Sequence, residues 1–382
     1  MRKLLATLLA LVLAFSCTAC AGKTAKDSSA SASAAASQAT PAAASSTDTQ
    51  QYTMLPFLEK YKEYKDKDTM KVLYLVCTTS AEYFVNSYAV WQPMLAKQGI
   101  QMDLVGPPTY SDDSLISTLE SALASRKYDL ILLYPITPSA VTPYVEEAWN
   151  TYHTPILAYA FSPDTNCGNY YLGTSYYTAG EVLGKSIVDY VNNNEDYFKT
   201  LKTIPVAVYK NSAAGEQYAR IQGALDVLKA DGRFSVINEY DSNGEAACLT
   251  ETETLLTDHP EVEVILTQID NDVTGAYEAI TSGTYKCSDH LSVWGYDATG
   301  AVCDKMYTDG VAGCVQGSAL IDHEKAGKAL GELIPILVGA AKQGKLIDFD
   351  KEDADALGSA LANYYVTVTP DNVKNYYTPK SK

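Results

Sequence analysis

From Lys71 onward the chain alternates short apolar runs with stretches of helical periodicity. The run KVLYLVC, Lys71 to Cys77, is apolar almost without interruption, which predicts a strand covered on both faces in a parallel sheet. A helical pattern through Trp91, Met94 and Leu95 follows and stops at Gly99. Ile100 to Val105 reads as the next strand, ended by Gly106, Pro107 and Pro108, and Asp112 to Ser125 as a helix with Leu115, Ile116, Leu119 and Leu123 on one face. Asp129 to Tyr134 is a third strand halted by Pro135, with a helix from about Ser139 to Tyr152 after it. Pro155 opens a fourth strand, Tyr170 to Gly173 is a short fifth, and Thr178 to Val191 is a helix.

The alternation then starts over. Strands are predicted over Ile204 to Tyr209, Phe234 to Tyr240, Val262 to Thr267 and Leu291 to Tyr296, separated by helices over Gly215 to Ala230, Glu245 to Thr257 and Asp272 to Thr281. Val311 to Gln316 is strand-like, Glu324 to Lys342 is a long helix turning Leu330, Leu333, Ile334 and Leu337 inward, and Tyr364 to Val368 is a last strand. Two consecutive series of this kind predict an α/β fold of two doubly wound, Rossmann-like lobes with a ligand cleft between them. Ligands of open α/β sheets sit outside the carboxyl ends of strands, so Thr78 to Phe84, small polar residues followed by two rings, is the first candidate surface.

The beginning of the chain follows other rules. Arg2 and Lys3 precede an apolar run from Leu4 to Phe15, too short to span a bilayer comfortably and shaped like an export signal. Thr18 and Ala19 before Cys20 resemble the lipobox of bacterial lipoproteins, which makes 1–20 the leader and Cys20 the lipidation site. Ala21 to Gln50, rich in Ser, Ala and Thr and without apolar periodicity, reads as a disordered tether. Gln51 to Lys67 reads as a short leading helix through Phe57, Leu58 and Tyr61.

Composition narrows the function classes. With 47% hydrophobic and 20% charged residues the body is an ordinary globular one. A formal charge of −17 without basic clusters argues against nucleic acid. Cys77, Cys167, Cys248, Cys287, Cys303 and Cys314 show no dense disulfide framework and no zinc spacing; they read as buried free thiols, with Cys287 and Cys303 the first pair to test. There is no GxGxxG, P-loop, GxSxG or HExxH, and His153, His259, His290 and His323 are scattered. Asp270, Asn271, Asp272 and Gly275 partly match a calcium loop, but Thr274 and Thr281 stand where carboxylates are required. No catalytic set, metal or cofactor is expected.

Several strings together carry a family likeness. KVLYLVCTTSAEYF, YDLILLYPITPSAV, YYLGTSYYTAGEVLGK, ARIQGAL, VILTQIDNDVTGAYEAI, LSVWGYDATGAV and VTVTPDNVKNYY occur in an order that resembles the type I periplasmic binding proteins of sugar uptake, the ribose- and galactose-binding proteins. The resemblance covers about Lys71 to Asn375. It implies two lobes joined by a hinge: 51–177 completed by about 318–345, and 178–317 completed by about 346–382. Carried over by position, it points to Tyr83 and Phe84 as an aromatic clamp, Arg220 as cationic donor, Asp297 as the acceptor for ligand hydroxyls, and Asp270, the other acidic strand tip, and Gln316 as further ligand contacts. A sugar has apolar faces and a polar rim, so rings above and below and fork-shaped charged partners at the edge suit it. Plainer readings stand beside these: Arg220 as a helix-surface ion pair, Asp297 as a helix cap, Tyr83 and Phe84 as core.

The departures bear on the ligand. Where sugar binders carry an Asp-Arg pair after the fourth strand, this chain has Ala160 and Phe161, so Tyr159 and Phe161 are added to the ring set. Ile269 replaces an expected Asn, and an expected Gln falls at Gly317 with Gln316 one position away. The resemblance implies a monomeric, extracytoplasmic solute-binding lipoprotein, anchored to the cell membrane, that closes on a small carbohydrate-like molecule and delivers it to an ABC transporter permease. Alternatives are a nucleoside-like or other non-sugar solute, a sensor that signals to a membrane receptor, and a hydrolase on the same scaffold.

Overall fold

A computed structural model describes residues 54–379, apart from 166, 213–214 and 242–243. The leader, Cys20 and the tether to residue 50 lie outside the described residues.

Strands β1 (Met70–Val76), β2 (Ile100–Val105), β3 (Leu130–Tyr134), β4 (Ile156–Tyr159) and β5 (Asn169–Leu172) form a parallel sheet in the order β2-β1-β3-β4-β5. Helices α1 (Glu82–Ala96), α2 (Asp112–Ser125) and α3 (Pro138–Asn150) fill the crossovers. The near-continuous apolar run of β1 serves two cores, as its alternating side chains require. Val72, Tyr74 and Val76 share a cluster with Trp91 and Leu95 of α1, whereas Leu73 and Leu75 pack with Leu115 and Leu119 of α2.

The second sheet contains β6 (Ile204–Lys210), β7 (Phe234–Asp241), β8 (Val264–Thr267), β9 (Ser292–Tyr296), β10 (Val315–Ile321) and β11 (Tyr365–Val368), in the order β11-β10-β9-β8-β6-β7. All neighbours are parallel except β11, which runs antiparallel to β10. Its helices include α4 (Tyr176–Asn193), the short α5 (Glu195–Phe198), α6 (Ala219–Asp231), α7 (Glu245–Asp258), α8 (Asp270–Thr281) and α9 (Gly300–Asp309). Two later helices, α10 (His323–Lys342) and α11 (Lys351–Gly358), return to the first sheet. The indole N–H of Trp91 in α1 donates to the His323 carbonyl of α10 at 2.8 Å, and Gly173 just after β5 donates its N–H to the Leu357 carbonyl of α11 at 3.3 Å. The protein is thus two α/β lobes, each with a sheet whose strand order reverses, between β1 and β3 in one and β6 and β8 in the other. Such reversals leave a crevice at the carboxyl ends of the strands.

Three chain segments connect the lobes and lie side by side. Leu361 donates its N–H to the Gly173 carbonyl at 3.2 Å, and Asp322 donates to the Tyr364 carbonyl at 2.8 Å. Asp322 also caps α10 by accepting the Lys325 N–H.

Four local expectations change. The strand expected at Val311 to Gln316 lies at Val315–Ile321, and Gly310–Ala312 is instead a 3-10 turn. Gly317 and Ser318 look like strand breakers, yet Gly317 leaves room for the Trp294 ring, which a Cβ would meet at 2.6 Å, and the buried Ser318 hydroxyl is fully bonded. The leading helix is a 3-10 helix over Pro56–Tyr64, and the α6 segment begins as a 3-10 turn at Gly215–Tyr218. The six cysteines are free, but only Cys77, Cys248 and Cys303 are fully buried. Cys303 donates its thiol to the Ala298 carbonyl at 3.3 Å, while Cys287 lies within electrostatic reach of Cys314.

Candidate functional site

A cavity of about 140 Å³ opens where the carboxyl ends of the two sheets meet. Its first wall comes from the segments that follow β1 and β2 and from the last residue of β3: Tyr83, Phe84, Tyr110 and Tyr134 line it. Phe84 is buried and packs edge-on to Tyr134, with ring centres 4.7 Å apart, and to Tyr83 at 5.4 Å. Two hydroxyls of this wall bond to the hydroxyls of tyrosines beside it. Tyr83 bonds the Tyr159 hydroxyl behind it, and Tyr134 bonds the Tyr176 hydroxyl at 3.3 Å. Burial holds the phenols of Tyr83, Tyr134 and Tyr159 well above the ordinary tyrosine value, so they stay protonated.

The second wall is charged. Arg220 projects from α6, and its Nη2 donates to Asp297 Oδ1 at 3.0 Å while Nη1 donates to the Gln268 carbonyl at 3.5 Å. Its guanidinium lies 5.0 Å from the Tyr176 ring centre and 5.1 Å from that of Tyr296. Burial is the largest single influence and disfavours the charge, but the Asp297 carboxylate together with Tyr176 and Tyr365 more than offsets it and holds the guanidinium above its ordinary value. Arg220 reaches this place because α4 and α6 touch backbone to backbone. A Cβ on Gly180 would stand 2.1 Å from the Arg220 carbonyl oxygen, and one on Gly223 2.1 Å from that of Tyr177.

Asp297 sits on a turn after β9 in which two non-glycine residues take left-handed backbone angles, Asp297 at φ 99° and Ala298 at φ 43°. Such residues cost about 1–3 kcal/mol each and persist only when their surroundings enforce them. Four bonds do so here. Asp297 N–H donates to the Ala319 carbonyl at 2.8 Å, Ala298 N–H to Ser318 Oγ at 2.9 Å, Thr299 N–H to Asp270 Oδ2 at 2.6 Å, and Ser318 Oγ–H to Asp270 Oδ1 at 2.7 Å. Asp270 is therefore a support beneath the turn. Burial first, then the nearby Asp297 charge, raise its carboxyl to about 8 against the pull of the Ser318 and Thr299 bonds. At the mouth, Gly300 N–H of α9 donates to Glu82 Oε2 of α1 at 2.9 Å, a contact across the cleft.

The structure brings Tyr83, Phe84, Arg220 and Asp297 together around one cavity. Arg220 is buried within the protein and is no helix-surface ion pair, and Asp297 leaves the start of α9 to Thr299. Tyr159 and Phe161 stand behind the first wall, each packed on Tyr134. Gln316 is placed at the amino end of β10, where its amide donates to the Val311 and Gly313 carbonyls, whereas the cavity meets the strand at Ala319 to Ile321. Reading from the sequence missed Tyr110, Tyr134, Tyr176 and Tyr365, which also line the cavity. The signal for Tyr134 was present: it ends a buried strand before Pro135, the same position that marked Thr78 to Phe84. Among the described residues no group of three His, Cys, Asp or Glu is arranged to hold a metal ion, and no helix is long and apolar enough to cross a membrane.

Residues 72–334 match the model of a family described as periplasmic binding protein domain. Among curated proteins none matches the chain in sequence. Solved structures share the fold. A periplasmic solute-binding protein of an ABC transporter from Actinobacillus succinogenes with bound D-allose superposes with a TM-score of 0.59 at 19% identity, covering 80% of this chain and 100% of that one. A periplasmic ribose ABC transporter protein from Conexibacter woesei gives 0.61 at 15% identity, covering 81% and 95%. A solute-binding protein from Agrobacterium vitis with bound D-fucose gives 0.58 at 19% identity, covering 81% and 100%.

Proposed function

We propose that this chain, which belongs to the periplasmic binding protein domain family, is the extracytoplasmic solute-binding component of an ABC transporter and captures a small, uncharged solute of carbohydrate size between its lobes. The observation that carries this reading is the cavity itself, walled by rings from one sheet and by the Arg220–Asp297 pair from the other. A solute seated there touches both lobes only when they are together, so it favours the closed arrangement by the difference in affinity between the two states. The three connecting segments act as the hinge, and the Glu82–Gly300 contact is made in the closed form. The bound sugars of the relatives from A. succinogenes and A. vitis support a solute of that size. Cys20, lipidated after export, tethers the domain to the cell membrane through residues 21–50, and the closed monomer is what the permease receives.

Thermal denaturation of the wild-type chain and of Arg220→Ala and Asp297→Ala, with and without a panel of sugars, nucleosides and amino acids, tests this. A ligand that raises the wild-type midpoint and has no effect on either variant is the expected outcome; equal stabilisation of all three proteins removes the site.

A further inference from the structure

We infer that Tyr365, on the third connecting segment, contacts the captured solute at the floor of the cleft and takes one of its hydroxyls, with Thr174 on the first segment positioning the phenol. This contact presupposes the solute-capture reading above and adds to it a part played by the hinge itself.

The cavity has a floor as well as two walls. Thr174 just after β5, Leu320 and Ile321 at the end of β10, and Tyr365 at the start of β11 all line it, so each connecting segment is represented. Their backbones are held in place. A Cβ on Gly173 would stand 1.6 Å from the Gly358 carbonyl oxygen, and Tyr365 pairs with Ile321 where β11 runs antiparallel to β10.

Hydroxyls on this floor have unspent capacity. Along the walls Tyr83 is bonded to Tyr159 and Tyr134 to Tyr176, each pair keeping one free O–H, and Arg220 is bonded to Asp297. Tyr365 is only 9% exposed and lines the cavity, so the solvent space open to it is the cleft. Its phenol stands beside the Thr174 hydroxyl, whose buried oxygen has no hydrogen-bond partner in this arrangement. A hydroxyl in such surroundings costs free energy until a partner arrives. The phenol of Tyr365 can accept from Thr174 and still donate to a solute oxygen, which satisfies both groups at once. Burial holds that phenol well above the ordinary tyrosine value despite the nearby Arg220 charge, so it keeps the proton it would donate.

Position gives this contact a role of its own. Phe84 and Asp297 belong to opposite lobes and reach one solute together only after closure, whereas a residue on a connecting segment is within reach of it in both arrangements. Tyr365 therefore adds affinity to the open and the closed forms alike and leaves the balance between them to the walls, because an interaction equal in two states shifts neither.

Isothermal titration of the purified chain with D-ribose, D-allose, D-galactose and D-fucose tests this, alongside melting curves without solute and small-angle scattering with it. The tightest of the four sugars is expected to bind Tyr365→Phe about tenfold and Thr174→Val about threefold more weakly than wild type. Without solute Tyr365→Phe should melt within about 2 °C of wild type, and once saturated it should contract as much as wild type does. An affinity unchanged in Tyr365→Phe but abolished in Arg220→Ala would overturn the hinge contact and leave solute capture intact. A lower midpoint, or a contraction lost at saturation, would show that the hydroxyl holds the fold or the closed form instead, which also overturns it. Thr174→Val binding as wild type would overturn the positioning role. Failure of all four sugars to bind wild type overturns the hydroxyl contact, with capture then decided by the thermal panel. Binding unchanged by both Tyr365→Phe and Arg220→Ala would place the sugar outside the cleft and overturn both readings.

Discussion

The first sheet meets the cleft in rings and the second meets it in a charged pair, although the five parallel strands of each sheet follow the same order and offer the same kind of edge. The difference lies in what supports each wall. Behind Tyr83 and Phe84 the packing is continuous with the lobe's core: Phe84 touches Tyr74, Tyr74 touches Trp91, and Trp91 touches Tyr159 and His323. Behind Arg220 and Asp297 stand hydrogen bonds and a strained turn, fixed by Asp270 and Ser318. One wall is made by packing, and its precision comes from shape. The other is made by directed polar contacts, and its precision comes from bonds that must all be present at once.

Removing a ring from the packed wall gives the largest expected effect. Phe84→Ala leaves a cavity against Tyr74 and Tyr134 and should lower the free energy of unfolding by about 3–5 kcal/mol, read from the urea midpoint. A loss under about 1 kcal/mol would mean that the first wall is a mobile flap and not an extension of the core.

Acid should attack the same wall. His323 is buried at the start of α10 with its ring 5.5 Å from Tyr83, and its Nδ1 has no hydrogen-bond partner. Burial lowers its pKa from 6.5 to about 4, with the nearby Asp322 pulling the other way. Between those values the unfolded chain binds a proton that the native one refuses, so stability falls as the pH drops from about 6.5 to 4, by roughly 3 kcal/mol in all. Denaturant titrations at steps across this window should show His323→Leu with a flatter profile than wild type. Parallel profiles would show that His323 is not held neutral.

On the polar wall Asp297→Ala strands a buried guanidinium and should cost about 2–3 kcal/mol. Arg220→Ala combined with Asp297→Ala should cost less than the sum of the two single changes, because the double variant leaves no unpaired charge. Strict additivity in such a cycle would show that the pair carries no coupling. The smallest effect belongs to the mouth: Glu82→Ala removes the bond from Gly300 N–H and should cost about 1 kcal/mol, a loss that the proposed hinge closure confines to the closed arrangement. Small-angle scattering of that variant should show a larger average radius than wild type; an unchanged radius would remove Glu82 from closure.

Legibility in the sequence followed the same division. The strands and most helices could be read because buried parallel strands announce themselves as apolar runs, and the rings at the end of β1 could be placed by the rule that ligands sit at carboxyl ends. Arg220 and Asp297 came from the order of family-like strings, since nothing in ARIQGAL says that its arginine faces inward; that depends on Gly180 and Gly223 bringing two helices into contact. Asp270 was read as a contact to ligand because a carboxylate at a strand tip looks the same from sequence whether it faces the cleft or holds a neighbouring turn. Only Ser318 and Thr299, distant in the chain, show which it does. The position of β10 was missed for a related reason: Gly317 and Ser318 are poor strand residues in isolation, and tertiary contacts with Trp294 and Asp270 make them suitable.

Native mass spectrometry of the freshly purified chain most directly tests whether the two walls together capture a solute. The account predicts a population heavier than the apoprotein by one small neutral molecule, present in wild type and missing from both Arg220→Ala and Phe84→Ala. The same adduct retained by both variants, which alter opposite walls, would contradict it.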